Sequence, residues 1–205
     1  MLTKLRSSLP IAVAAAALVA ACEQAPEPPP VFQSTDVTGA EWGSDFRLTD
    51  HRGTPRRLED FRGKVVLVFF GFTHCPNMCP TAMSRIAAVV ERLGAQGEKV
   101  QGLFITVDPA RDTAEVLARY VPAFHPSFLG LRGDKAATAK TAAAFRVHYQ
   151  AQRPDKDGDY GVDHLGGIFA FDPAGRLRLF IRPEQPVDAF ADDVRELLSQ
   201  HGAAR

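Results

Sequence analysis

The chain has 205 residues, 45% hydrophobic and 23% charged, with a formal net charge of zero. That composition suits one globular domain rather than a fibrous or disordered chain, and without a basic excess to neutralise phosphates no nucleic-acid partner is expected. The three cysteines, Cys22, Cys75 and Cys79, are too few to staple a disulfide scaffold, so a hydrophobic core must carry the stability.

The N-terminus reads as an export signal. Lys4 and Arg6 form a short basic region ahead of the Ala-rich apolar stretch Ile11–Ala21. That stretch is too short to span a bilayer, which takes about 20 residues, but it fits the core of a signal peptide. Leu18-Val19-Ala20-Ala21-Cys22 resembles a bacterial lipobox, which implies cleavage before Cys22 and lipid attachment to its sulfur; an ordinary signal cleavage beside a chance cysteine is the alternative. The Pro-rich run Glu23–Pro30 stays extended and reads as a tether. The expected organisation is a lipoprotein-type signal peptide at 1–21, a lipid-anchored tether at 22–40 and one domain at 41–205. This places the protein in the cell envelope, on the periplasmic face of a bacterial membrane.

Phe46–Lys64 carries turn signals at Asp50–Gly53 and predicts a small hairpin or loop. Val65–Phe70 (VVLVFF) is continuously apolar, as a strand buried on both faces must be. Pro80 can open a helix, since the first turn needs no N–H there, and Met83, Ile86, Ala87, Val90 and Leu93 follow at helical spacing. Val100–Val107 is a second buried strand. Asp112 with Glu115 has the form of a capping box for a helix carrying Val116, Leu117, Tyr120, Val121 and Phe124. A short strand at Ser127–Leu131, a helix over Asp134–Phe145, a polar acidic loop at Arg153–Asp163, a hairpin of Ile168–Phe171 with Leu177–Ile181, and an amphipathic helix through Leu198 complete the chain. The order predicts a layered α/β domain. Its terminal ββα and the cysteine pair at a strand–helix junction are those of a thioredoxin-like fold, a central mixed β-sheet flanked by helices.

Cys75 and Cys79 lie in GFTHCPNMCP (Gly71–Pro80), where ligands bind at the carboxyl ends of strands in open α/β sheets. Local N–H groups and the positive helix end favour thiolates there. At i and i+4 both sulfurs point to one spot and can form a redox disulfide or grip a soft metal. A purely structural disulfide would close a very small loop and gain little. The spacing is one residue longer than in a thioredoxin, and no Trp precedes Cys75. Where a thioredoxin keeps a proline opposite its cysteines, this chain has His164, in Val162-Asp163-His164. Two thiolates and one imidazole suit Cu(I) and can also hold Cu(II).

GFTHCPNMCP, VDPARDT (Val107–Thr113), VDH (Val162–His164) and DPAGR (Asp172–Arg176) together resemble the Sco/SenC family, over about Phe46–Leu198. The resemblance implies a copper metallochaperone rather than an enzyme, with copper on Cys75, Cys79 and His164. It also implies delivery to the cytochrome c oxidase subunit that carries the Cu(A) site. Other periplasmic copper chaperones or thiol reductases, and the membrane through the lipid anchor, are the remaining expected partners. Two departures stand out: Asn77-Met78 between the cysteines, and Leu165-Gly166-Gly167 after the histidine, which touches how tightly the histidine loop is held. A periplasmic thiol–disulfide reductase that keeps the oxidase cysteines reduced is the alternative function. A peroxiredoxin-like peroxidase is not matched by the Thr73–Cys75 spacing.

The remaining candidates read as supporting residues. His74 adjoins the pair and could tune its thiolates or join exchange, but reads first as a structural residue. Met78 offers a soft thioether but sits as a surface contact. His51, His125, His148 and His201 lack partners at ligand spacing. Asp163 could orient its neighbour, although adjacent side chains of an extended segment point apart. Asp155, Asp157 and Asp159 lack the terminal glutamate of a calcium loop and read as a solvated acidic surface.

Overall fold

A computed structural model describes residues 31–202 apart from Ser44. The expected signal peptide, the lipid site Cys22 and the Pro-rich part of the tether lie outside the described residues. The strands are β1 (Thr35–Asp36), β2 (Leu48–Asp50), β3 (Pro55–Arg56), β4 (Val65–Gly71), β5 (Val100–Thr106), β6 (Leu129–Arg132), β7 (Tyr149–Ala151), β8 (Val162–His164), β9 (Ile168–Phe171) and β10 (Leu177–Ile181). The helices are α1 (Met78–Arg92), α2 (Ala114–Tyr120), α3 (Lys135–Ala144) and α4 (Val187–Gly202).

Eight strands form one mixed sheet in the order β1-β10-β9-β4-β5-β6-β2-β3, while β7 and β8 make a separate antiparallel ribbon. β4, β5 and β6 run parallel, and β9 runs antiparallel to β4. This is the expected mixed sheet of a thioredoxin-like fold. The apolar run of β4 is buried along its whole length because it occupies the sheet centre. Its side chains alternate across the sheet. Phe70 stacks edge-on with Phe145 and Phe169 at 5.1 and 6.0 Å, whereas Phe69 meets the ring of His164. α1 packs against α4 and against β4 and β5, burying Met83, Ile86, Ala87 and Val90 as their spacing required.

Several boundaries differ from expectation, three of them for a plain physical reason. α1 begins at Met78, so Pro80 is its third residue, still within the turn whose N–H groups have no helical partner. α2 is capped by Thr113, whose hydroxyl accepts from Val116 N, and not by Asp112, which is fully buried and engaged elsewhere. The domain also starts earlier than residue 41: Thr35 and Asp36 pair with Phe180 and Leu179. Ahead of them the buried carboxylate of Asp193 accepts from Gln33 N at 2.8 Å and Ser34 N at 2.9 Å. Both β1 residues are exposed, so this strand is held by backbone bonds and leaves no hydrophobic pattern to read.

Candidate metal centre

β4 ends at Gly71, and the chain turns through Phe72–Asn77 into α1. Cys79 is fully buried in the first turn of that helix, while Cys75 in the preceding loop is half-buried; both are free thiols. Gly71 makes room for this arrangement. A Cβ there would meet Phe104 and Phe69 at 2.8 Å and the Cys79 sulfur at 3.0 Å.

His164 comes from the far side of the sequence, at the end of β8. Its ring stands edge-on to Phe69 and Phe72, with centroids 6.0 and 5.9 Å apart. Nδ1 lies 3.0 Å from the carbonyl of Leu165, which assigns the ring proton to Nδ1 and leaves the Nε2 lone pair free. Nε2 is 3.3 Å from Cys79 Sγ.

The two thiols differ electrostatically. For Cys75, burial opposes ionisation, but the backbone N–H groups of Cys79, Asn77 and Met78 outweigh it and bring the thiol pKa below its ordinary value. The Cys79 N–H lies 3.4 Å from the Cys75 sulfur. Burial pushes the Cys79 thiol far up, and the neighbouring Cys75 and Asp112 add to this. Burial also lowers the His164 pKa, so its imidazole is neutral near pH 7. Two sulfurs and a neutral imidazole are a soft donor set. Among the described residues no three His, Cys, Asp or Glu side chains stand preassembled as a metal cage; the contact already made is the one between Cys79 and His164.

Asp112 anchors the cysteine loop from beneath. Its carboxylate accepts from Thr73 Oγ1 and Thr106 Oγ1, each at 2.6 Å, and from Thr73 N. Sequence reasoning gave Asp112 to a helix cap because a buried carboxylate hub and an N-cap look alike in one dimension.

The supporting residues fall mostly as expected. His74 is half-exposed and hydrogen-bonds Thr73 Oγ1 at 3.2 Å. Met78 is 38% exposed, and its sulfur lies over Gly166, 2.6 Å from where a Cβ would stand. Asp163 does not orient His164; it accepts from Gln152 Nε2 at 2.9 Å. Asp155 turns inward onto the backbone N–H groups of Asp157 and Asp159. His51 Nδ1 accepts from Gly130 N, and His125 bonds Ser127 Oγ. His148 is exposed, and the side chain of His201 is outside the described residues.

The sequence pattern of the SCO1/SenC family matches residues 34–199. The mitochondrial protein SCO2 homolog of Homo sapiens is 44% identical over 153 residues, covering 74% of this chain and 58% of that protein. The chain thus spans little more than half the length of this curated relative. Among solved structures, Bradyrhizobium japonicum ScoI with copper bound is 38% identical with a TM-score of 0.71, covering 78% of this chain and 100% of that one. Apo Sco1 from Thermus thermophilus is 41% identical with a TM-score of 0.73, covering 82% of this chain and 98% of that one.

Proposed function

The chain belongs to the SCO1/SenC family, and from that premise we propose that it is a copper metallochaperone serving the Cu(A) centre of cytochrome c oxidase. Copper is its cargo. Cys75 and Cys79 hold the ion as thiolates, and His164 adds Nε2. The observation that carries this reading is the 3.3 Å contact between Cys79 Sγ and His164 Nε2, made by a histidine that burial keeps neutral and free to donate its lone pair. The half-buried Cys75 completes the set from the accessible side. Loading displaces the thiol protons, so it releases acid. Transfer to the oxidase subunit proceeds by ligand exchange, entering where Cys75 is accessible. The lipid on Cys22 and the Pro-rich spacer keep the domain at the periplasmic membrane surface. No helix among the described residues is long and apolar enough to cross a membrane.

Copper titration of the reduced chain tests this reading. His164→Ala is expected to weaken binding and to change the visible Cu(II)–thiolate band; the same affinity and the same band in both proteins would refute the three-ligand site.

The unequal thiols favour a second reading, thiol–disulfide exchange. The Cys75 thiolate attacks a target disulfide and one target sulfur leaves as thiolate; Cys79 then gives its thiol proton to that thiolate, attacks the mixed disulfide and releases the second target sulfur as thiolate. The pair is oxidised and the target reduced by two electrons. His164 is dispensable for this reaction, so His164→Ala separates the two functions.

A further inference from the structure

The ribbon that carries His164 is tied to the body of the protein by few hydrogen bonds, with Val162 buried in the core and Tyr149 and Tyr160 packed against it. β8 pairs only with β7, and a lone two-stranded ribbon is marginally stable. Among the described residues, and apart from the bond of His164 to its chain neighbour Leu165, the hydrogen bonds that leave the segment 149–164 for the body number four. One is the Cys79–His164 contact; the other three all end on Arg111 or Asp108.

These two residues sit in the turn between β5 and α2. The Arg111 guanidinium lies 3.5 Å from the centroid of the Tyr160 ring. Its Nη2 donates to Tyr160 O at 2.8 Å, its Nη1 to Asp159 Oδ1 at 2.8 Å, and its Nε to Asp108 Oδ2 at 2.6 Å. Tyr160 Oη donates to the other oxygen of Asp108 at 3.0 Å. An exposed ion pair would contribute little. Here the guanidinium is 17% exposed and Asp108 is 5% exposed, all three guanidinium nitrogens are used, and the flat cation stacks on an aromatic face. Arg111 also lies 5.9 Å from the ring of Phe72, which is itself edge-on to His164. The adjacent residue Asp112 holds Thr73 and with it the cysteine loop. One short turn therefore grips both segments that supply the site.

We propose that Arg111 is a positioning residue for His164: by clamping Tyr160 against the β5–α2 turn it fixes the β7–β8 ribbon so that Nε2 faces Cys79. The proposal rests on the copper reading above, in which His164 is a ligand. Arg111 touches no copper donor.

The test uses the full chain with its cysteines reduced, titrated with copper alone. Arg111→Ala is expected to lower affinity about tenfold, as loss of a residue that orients a ligand does, and to weaken the nitrogen hyperfine signature of the Cu(II) form. Arg111→Lys does not rescue it, since an ammonium has neither the fork nor the flat stacking face. In the metal-free protein, amide exchange at Val162–His164 accelerates while β4 and β5 keep their protection. Combined with His164→Ala, Arg111→Ala costs nothing further. Tyr160→Phe removes only the bond to Asp108, keeps the stack, and moves every readout the same way by less, which retains a test if the alanine variant folds poorly. The proposal is overturned if Arg111→Ala leaves affinity and exchange unchanged, or if it costs as much with His164 absent as with it present. Should His164→Ala itself leave affinity unchanged, the three-ligand reading fails and the proposal goes with it; should His164→Ala weaken binding while Arg111→Ala does not, the proposal alone fails.

Discussion

Cys79 Sγ and His164 Nε2 lie 3.3 Å apart although 85 residues separate them in the chain. The contact joins the first turn of a helix to the end of a two-stranded ribbon, so neither element could place it alone. It needs Gly71 beneath the sulfur and two phenylalanine edges around the imidazole. The same surroundings explain why the donors stay uncharged without a metal: burial penalises both a Cys79 thiolate and a His164 imidazolium.

The unequal thiols predict unequal reactivity. Cys75 is accessible and its thiolate is favoured by three backbone N–H groups, whereas Cys79 is buried and its thiol strongly disfavours ionisation. With iodoacetamide near neutral pH, Cys75 is expected to be alkylated at least about tenfold faster than Cys79, the ratio that one unit of pKa difference supplies. Peptide mapping by mass spectrometry measures both rates; equal rates would contradict the asymmetry.

The two glycines after Leu165 predict opposite outcomes. A Cβ on Gly167 would run into the Phe180 ring, itself packed edge-on against Phe169. A Cβ on Gly166 would meet the tip of the Met78 side chain, which is flexible and partly exposed. Gly167→Ala should cost about 1–3 kcal/mol of stability, as overpacking does. Gly166→Ala should stay within about 0.5 kcal/mol. Urea unfolding compares them, and Phe180→Leu should restore part of the loss at Gly167. A neutral Gly167→Ala would mean that Phe180 is free to swing aside.

This pair also shows where the sequence stopped being readable. Leu165-Gly166-Gly167 could be recognised as a departure from the family pattern, but its meaning depends on Met78 and Phe180, far away in the chain. The apolar strands, the helix that follows the cysteines and the Ala-rich helix α3 were legible because each is a local pattern of burial or propensity. The histidine was legible because it occupies a marked position in a known loop. β1 was invisible because its stabilising bonds are all backbone and its side chains are exposed. Asp112 was misassigned because its partners, Thr73 and Thr106, adjoin it only once β4 and β5 pair.

Asp112 predicts a further result. Thr73 N, Thr73 Oγ1 and Thr106 Oγ1 all donate to a carboxylate that is fully buried. Asp112→Ala removes their acceptor, and leaving a buried donor unpaired costs about 1–3 kcal/mol. The cysteine loop loses its anchor at the same time, so the variant should unfold at lower denaturant and bind copper more weakly. Chemical denaturation and copper titration read the two effects; unchanged affinity in a folded Asp112→Ala protein would show that the cysteine loop does not depend on this anchor.

Asp50 sets an acid limit on stability. Its carboxylate is buried, which by itself would hinder ionisation. The N–H groups of Thr54 and Arg52, each at 2.9 Å, and Arg56 Nε at 2.8 Å outweigh that burial and hold the pKa below the ordinary carboxylate range. The folded state therefore binds this proton less readily than the unfolded chain, whose aspartates titrate near pH 3.9. Stability from this group is complete above about pH 4 to 5 and is lost as the pH falls through the folded pKa. Asp50→Asn keeps the shape but not the charge. It should be less stable than the wild type at neutral pH, with the gap closing in acid as the wild-type carboxyl becomes neutral. Thermal midpoints taken across that range test the point: a gap that stays constant with pH would mean that the pairing with Arg56 contributes nothing, and that only the geometry of the β2–β3 turn matters.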